Sequence, residues 1–148
     1  MTLDSTNPAR QIAVAIVDDE TLVRVSLRRL CNAFGLSATA YGSGREFLDS
    51  LESDQPQPDC LLLDIQMPEM TGLELQRHLT SRGVRVPTIV VTADDAPEAR
   101  ARCMAAGAVD YLRKPIGADE LLAAIERAVC DANRRQSLTP PRGEVETR

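Results

Sequence analysis

The sequence predicts a doubly wound α/β domain, a five-stranded parallel sheet with helices on both faces. Three observations carry this prediction. Short runs of Val, Ile and Leu recur along the 148 residues, the runs are apolar at consecutive positions rather than alternating, and stretches of helical periodicity separate them. Strands buried on both faces and joined by helical crossovers make a parallel sheet.

The strands are expected at residues 12–17, 36–41, 60–63, 87–91 and 108–112, the second being the weakest. Helices are expected near 22–34, 43–53 and 73–82, with Gly35 and Gly83 as caps of the first and third. For the fourth helix, Asp95 and Glu98 form a D-x-x-E capping box, Pro97 sits in the first turn and Gly107 follows as a C-cap. The fifth, from Asp119 to about Arg134, carries Leu121, Leu122, Ile125, Ala128 and Val129 on one face, with acids in its first turn and arginines at its end. No internal repeat interrupts the five βα units.

Residues 11–133 therefore form one domain, preceded by a flexible extension over 1–10. The segment 134–148 holds two prolines and few apolar residues, so it is expected to be a disordered tail or a linker remnant. The formal charge of -5, with no run of Lys or Arg, argues against a nucleic-acid surface. The N-terminus lacks an apolar signal region, and the apolar run at 12–17 is far short of the roughly 18 residues that span a bilayer. The expectation is a cytoplasmic chain with no direct contact to nucleic acid or membrane. Cys31, Cys60, Cys103 and Cys130 are widely spaced and have no metal-binding pattern, so they read as buried, reduced thiols, a disulfide pair being the lesser alternative.

In an open parallel sheet, function gathers beyond the carboxyl ends of the strands. Strand one ends in Asp18, Asp19 and Glu20, strand three in Asp64 and strand four in Thr92, and strand five runs into Lys114. A sheet order of 2-1-3-4-5 places these ends in one cleft. Two carboxylates about 4 Å apart repel by about 4 kcal/mol at an effective dielectric near 20, so the cluster requires a cation. Oxygen ligands alone select a hard ion, Mg²⁺ or Mn²⁺, which leaves coordination positions open. Lys114 adds a second positive charge and Thr92 a hydroxyl donor, a set suited to a phosphoryl group passing to a carboxylate nucleophile. Any one of these residues alone reads as a solvated strand end, and their joint occurrence at consecutive ends carries the argument.

At these positions the segments AIVDDE, LLLDIQMPEMTG, IVVTA and DYLRKP stand in the order and at the separations of the response-regulator receiver domain, which the chain resembles from about Gln11 to Asn133. DIQMPEMTGLEL and AAGAVDYLRKP are similar to FixJ-like receivers of the LuxR-type group. The resemblance implies a flavodoxin-like (βα)5 fold with Asp64 as phosphoacceptor. It also implies Mg²⁺ held by Asp19, Asp18, Asp64 and the backbone carbonyl of Gln66. Thr92 and Lys114 become the switch hydroxyl and the phosphoryl-binding lysine, Tyr111 the switch aromatic, and Lys114-Pro115 a cis bond. Gln66 and Asp94, two residues beyond the phosphoacceptor and the switch hydroxyl, tune dephosphorylation.

The resemblance further implies a sensor histidine kinase or histidine phosphotransfer protein docking near the first helix, with small phosphodonors able to substitute. It implies an output surface on the fourth helix, fifth strand and last helix that can pair two copies, where Arg100, Arg102, Arg113 and Asp110 stand, a solvated charged face being the equally plain reading of these four. His78, the only histidine, reads as a helix-surface residue, so the chain accepts phosphoryl groups rather than donating them. Such a protein is a phosphoacceptor and not an enzyme beyond its own phosphorylation and dephosphorylation.

Three rivals are weaker. A haloacid-dehalogenase-type phosphohydrolase needs a second acid two residues after its nucleophile, where Gln66 stands. A flavodoxin-like cofactor binder needs Gly, Ser and Thr after strand one, where three acids stand. FixJ-like receivers usually precede a helix-turn-helix domain, and 134–148 is too short for one, so the expectation is a stand-alone regulator, a relay member or phosphate sink, or a truncated transcription factor.

Overall fold

The computed structural model describes residues 11–54, 56–93 and 96–138. Five strands, β1 (Ala13–Val17), β2 (Ser37–Tyr41), β3 (Cys60–Leu63), β4 (Thr88–Thr92) and β5 (Asp110–Arg113), alternate with α1 (Thr21–Ala33), α2 (Gly44–Ser50), α3 (Gly72–Ser81), α4 (Pro97–Ala105) and α5 (Ala118–Leu138). All strand pairs are parallel, in the order β2-β1-β3-β4-β5. β3 matches its expected range, and the other strands and α1 to α3 depart from theirs by no more than three residues at either end, the usual latitude of helix and strand termini.

The alternation of side chains along each strand divides the core in two. Val14, Ile16, Leu62, Ile89 and Val91 face α1 and α5, meeting Leu27, Cys31, Leu121 and Ile125. Ala15, Val17, Leu61 and Leu63 face α2 and α3, meeting Phe47, Leu48, Leu75 and Leu79. Val90 and Tyr111 pack with Cys103 of α4 on that second face. Burial of both faces explains why the central strands read as unbroken apolar runs. Among the described residues, no helix is long and apolar enough to cross a membrane.

Gly35, Gly83 and Gly107 have φ of 82°, 73° and 111°, where a β-carbon is strained, and each follows a helix end. The helix α4 has Ala96 as N-cap, without a side-chain cap, and Pro97 at its first position, while the expected capping box rests on Asp95, which lies outside the described residues. A capping box does occur, but on α3, where Thr71 Oγ1 accepts from Glu74 N–H at 3.2 Å and Glu74 Oε1 accepts from Thr71 N–H at 2.9 Å.

The helix α5 also outruns its expected end, continuing through Leu138 into the segment expected to be disordered. Arg134, Arg135 and Gln136 favour helix, and the first residue disfavoured there is Thr139, which precedes Pro140. Residues 1–10 and 139–148 lie outside the described residues. None of the four cysteines forms a disulfide, and Cys31, Cys60 and Cys103 are buried and Cys130 half-buried. Burial pushes the Cys31 thiol up to about 11 and Cys60 higher still, so both stay protonated and inert.

Candidate functional site

The register of the sheet builds the site. Val17 of β1 lies beside Leu63 of β3, so the residues that follow them, Asp18 and Asp64, leave the sheet side by side. Asp64 N–H donates to Val17 O at 3.0 Å, which fixes this level of the ladder past the last paired residues. Thr92 ends β4, fully buried, and its carbonyl accepts from Lys114 N–H at 2.8 Å. That bond carries the chain from β5 over the site, and the Lys114–Pro115 peptide is cis.

Lys114 Nζ reaches back into the acids. It donates to Asp18 Oδ2 at 2.9 Å and to Asp64 Oδ2 at 3.3 Å, and lies 3.7 Å from Glu20 Oε1. Asp18 is 1% exposed and Asp64 4%, so two carboxylates and one ammonium share a poorly hydrated space. Burial pushes the Asp64 carboxyl above its usual range, and the Gln66 N–H at 2.9 Å and the Lys114 charge only partly offset this. For Lys114, burial lowers the pKa, but the hydrogen bond to Asp18 and the charges of Asp64 and Asp18 outweigh it and raise the ammonium above its usual value. It stays charged.

The carboxylate oxygens of Asp18, Glu20 and Asp64 lie within 4.8 Å of one another. Three hard oxygens with one ammonium leave negative charge uncompensated, which fits a divalent cation of the Mg²⁺ type. The expected ligand Asp19 is exposed and lies outside this cluster, where Glu20 stands instead. The cause is local: Asp18 Oδ1 accepts from Glu20 N–H at 2.9 Å, a two-residue turn that brings Glu20 over the site.

Of the remaining expected residues, Tyr111 is buried, with the Arg100 guanidinium 5.8 Å from its ring centroid. The Gln66 side chain is exposed. Asp94 lies outside the described residues. On the expected output face, Asp110 pairs within the domain with Arg127 at 2.9 Å, and Arg102 lines a cavity with Arg77 of α3. His78 is exposed on α3.

Sequence reasoning missed Gly72. A β-carbon there would sit 2.7 Å from Ile65 Cα and 2.8 Å from Asp64 O, so the first residue of α3 backs directly onto the peptide between Asp64 and Ile65. The Thr-Gly pair before the helical run was the local signal, although nothing in it points to Asp64.

A (βα)5 sheet in this order, closing on a buried aspartate beside an acid cluster and a lysine, defines the class as a flavodoxin-like receiver fold. The profile of the response regulator receiver domain matches residues 14–126, and the chain belongs to that family. It is similar to the response regulator MprA of Mycolicibacterium vanbaalenii, with 44% identity over 112 residues that make up 76% of this chain and 48% of MprA. The chain thus spans about half the length of the curated relatives it matches. Among solved structures it is similar to a response regulator receiver protein from Burkholderia phymatum, with 40% identity, TM-score 0.73, and coverage of 80% of this chain and 95% of that one. It is also similar to FixJ-N, with 34% identity, TM-score 0.74, and coverage of 81% and 94%. Receiver domains of two-component response regulators are phosphorylated by histidine kinases, and this chain is such a domain.

Proposed function

We propose that the chain accepts a phosphoryl group on Asp64, with Mg²⁺ bound, from a histidine kinase or histidine phosphotransfer protein, and that this switches a protein-binding surface. The supporting observation is the Lys114 ammonium shared between Asp18 and Asp64 at 2.9 and 3.3 Å in a buried pocket. One Asp64 carboxylate oxygen attacks phosphorus as the bond to the donor nitrogen, or to the acyl oxygen of a small phosphodonor, breaks and the donor leaves. Lys114 Nζ, now 3.3 Å from Asp64 Oδ2, moves onto a phosphoryl oxygen, and the Thr92 hydroxyl donates to another.

Mg²⁺, or Mn²⁺ in its place, when bound supplies the charge that offsets the acids and the incoming phosphoryl oxygens. Asp18, Asp64 and the Gln66 carbonyl would hold it, with Asp19 brought in by rotation of its exposed side chain and Glu20 contributing at the rim. Gln66 and Asp94 position the water that ends the phosphorylated state.

Only a contact that differs between two conformations can shift their populations. The contacts of Thr92 and Lys114 with the phosphoryl group supply that difference, and Tyr111 carries it to the surface of α4, β5 and α5, which pairs with a second copy or a downstream protein. The protein works in the cytoplasm and does not touch nucleic acid through this domain. The test is beryllofluoride, a phosphoryl mimic, added to the isotope-labelled chain with and without Mg²⁺. The expected result is a Mg²⁺-dependent shift of the Thr92 and Lys114 amides followed by the Tyr111 ring; unchanged spectra would contradict the reading.

A further inference from the structure

The backbone that carries the acids of β1 is held by more than the sheet. Val17 and Tyr41 are the last residues that β1 and β2 pair. One step further, Asp18 N–H still donates to Tyr41 O, at 3.2 Å. The Asp18 carbonyl lies beyond the ladder, because β2 ends at Tyr41 and the chain turns through Gly42 to Ser43, the N-cap of α2. A carbonyl at a strand end needs a donor from elsewhere. A side chain supplies it: Arg24 Nη1 donates to Asp18 O at 2.7 Å.

Arg24 is tied to the same loop at two further points. Its Nη2 donates to Thr21 Oγ1 at 3.1 Å, and its backbone N–H donates to Glu20 O at 3.1 Å. Of the three arginines on α1, Arg28 and Arg29 are exposed, whereas Arg24 is half-buried. Gly42 leaves room for its guanidinium, since a β-carbon there would come within 3.3 Å of Arg24 Nη1. The Asp18–Asp19 peptide is thus gripped at its carbonyl, while Asp18 Oδ1 accepts from Glu20 N–H at 2.9 Å on the other side of Asp19. These bonds bracket the backbone of Asp19, although its side chain is exposed. Lys114 reaches the carboxylate of Asp18 and Arg24 its carbonyl, so one buried residue meets a cation at each end.

We propose that Arg24 is a positioning residue for the metal site: by gripping the Asp18 carbonyl it sets the direction in which Asp18 and Asp19 present their carboxylates to Mg²⁺. The role rests on the reading of Asp64 as a Mg²⁺-dependent phosphoacceptor, in which these acids hold the ion. Arg24 acts through the peptide and touches neither the ion nor the phosphoryl group. A hydrogen bond from a charged donor is stronger than one from a neutral donor, and groups that orient metal ligands are worth about 10- to 100-fold in metal affinity.

The experiment is a titration of the full chain with MgCl₂, followed by amide shifts, for the parent, Arg24→Met and Arg24→Lys. Methionine keeps the aliphatic stem without charge or donor, and lysine keeps the charge and a donor without the fork. Arg24→Met should bind Mg²⁺ about tenfold more weakly than the parent, and Arg24→Lys about threefold. A role in stability alone would leave the affinity of the folded variants unchanged. Before Mg²⁺ is added, the Asp19 amide, which shares its peptide with the gripped carbonyl, should shift in Arg24→Met while the amides of Ile16 and Leu62 in the core stay in place. A parent that binds no Mg²⁺ would overturn the phosphoacceptor reading and this role with it. With a parent that does bind, equal affinity in Arg24→Met, or an unmoved Asp19 amide, would overturn the role of Arg24 alone. Arg24→Lys keeps the test open if the methionine variant does not fold, and affinity undiminished in it would likewise overturn the role.

Discussion

Lys114 Nζ lies closer to Asp18 Oδ2, at 2.9 Å, than to Asp64 Oδ2, at 3.3 Å. Lys114 is thus anchored first to Asp18 and only secondarily to Asp64. This arrangement keeps Asp64 from being sequestered in a tight pair of its own. It also makes the unphosphorylated site depend on Lys114 for its charge balance.

Removal of that balance should be measurable. Lys114→Met leaves the buried Asp18 and Asp64 carboxylates without their cation and should lower stability by about 3 kcal/mol, the lower part of the range for breaking a buried ion pair. Thermal melts with and without Mg²⁺ check this, since added Mg²⁺ should recover part of the loss in the variant. An unchanged melting temperature without Mg²⁺ would contradict the geometry.

The pH dependence follows from the raised carboxyl of Asp64. Because its folded pKa lies above the unfolded value, the folded state takes up the proton first, and ionising Asp64 costs stability as pH rises through the folded pKa. Asp64→Asn removes that cost. Without Mg²⁺ the variant should melt higher than the parent at pH 7, and the gap should close below about pH 4, where the carboxyl is protonated in both states. A parent more stable than the variant at pH 7 would oppose this account.

The two acids after Asp18 should differ in weight. Asp19→Asn is expected to weaken Mg²⁺ binding by about tenfold, as loss of one direct charged contact does. Glu20→Gln should cost less, because its side chain is 65% exposed and its charge is screened. Isothermal titration with MgCl₂ separates them, and equal effects would place Glu20 among the direct ligands.

Gly72→Ala forces a β-carbon against Ile65 Cα and Asp64 O and should destabilise the fold by about 1–3 kcal/mol, as overpacking does. Denaturant unfolding measures this, and the amide shift of Gln66, whose N–H holds Asp64 Oδ1, should move with it. A variant as stable as the parent would mean that the α3 start is free to yield.

Much of the site is legible in the sequence because its residues end apolar runs. Asp18, Asp64 and Thr92 directly follow or end buried strands, and parallel pairing then fixes which ends are neighbours. What escapes such a reading depends on contacts distant in sequence or on side-chain direction. Gly72 matters through a backbone approach to Ile65, and Glu20 through a turn made by Asp18 Oδ1. The extra turn of α5 had a local cause, helix-forming residues up to the position before Pro140, but low apolar content suggested disorder instead. The capping box at Thr71 and Glu74 was equally local.

The most direct test of phosphoryl acceptance at Asp64 is intact-mass measurement after incubation with acetyl phosphate and Mg²⁺. The parent chain should gain the mass of one phosphoryl group, lost on removal of Mg²⁺ from the reaction, and Asp64→Asn should gain none. No added mass on the parent, or equal labelling of Asp64→Asn, would contradict the assignment.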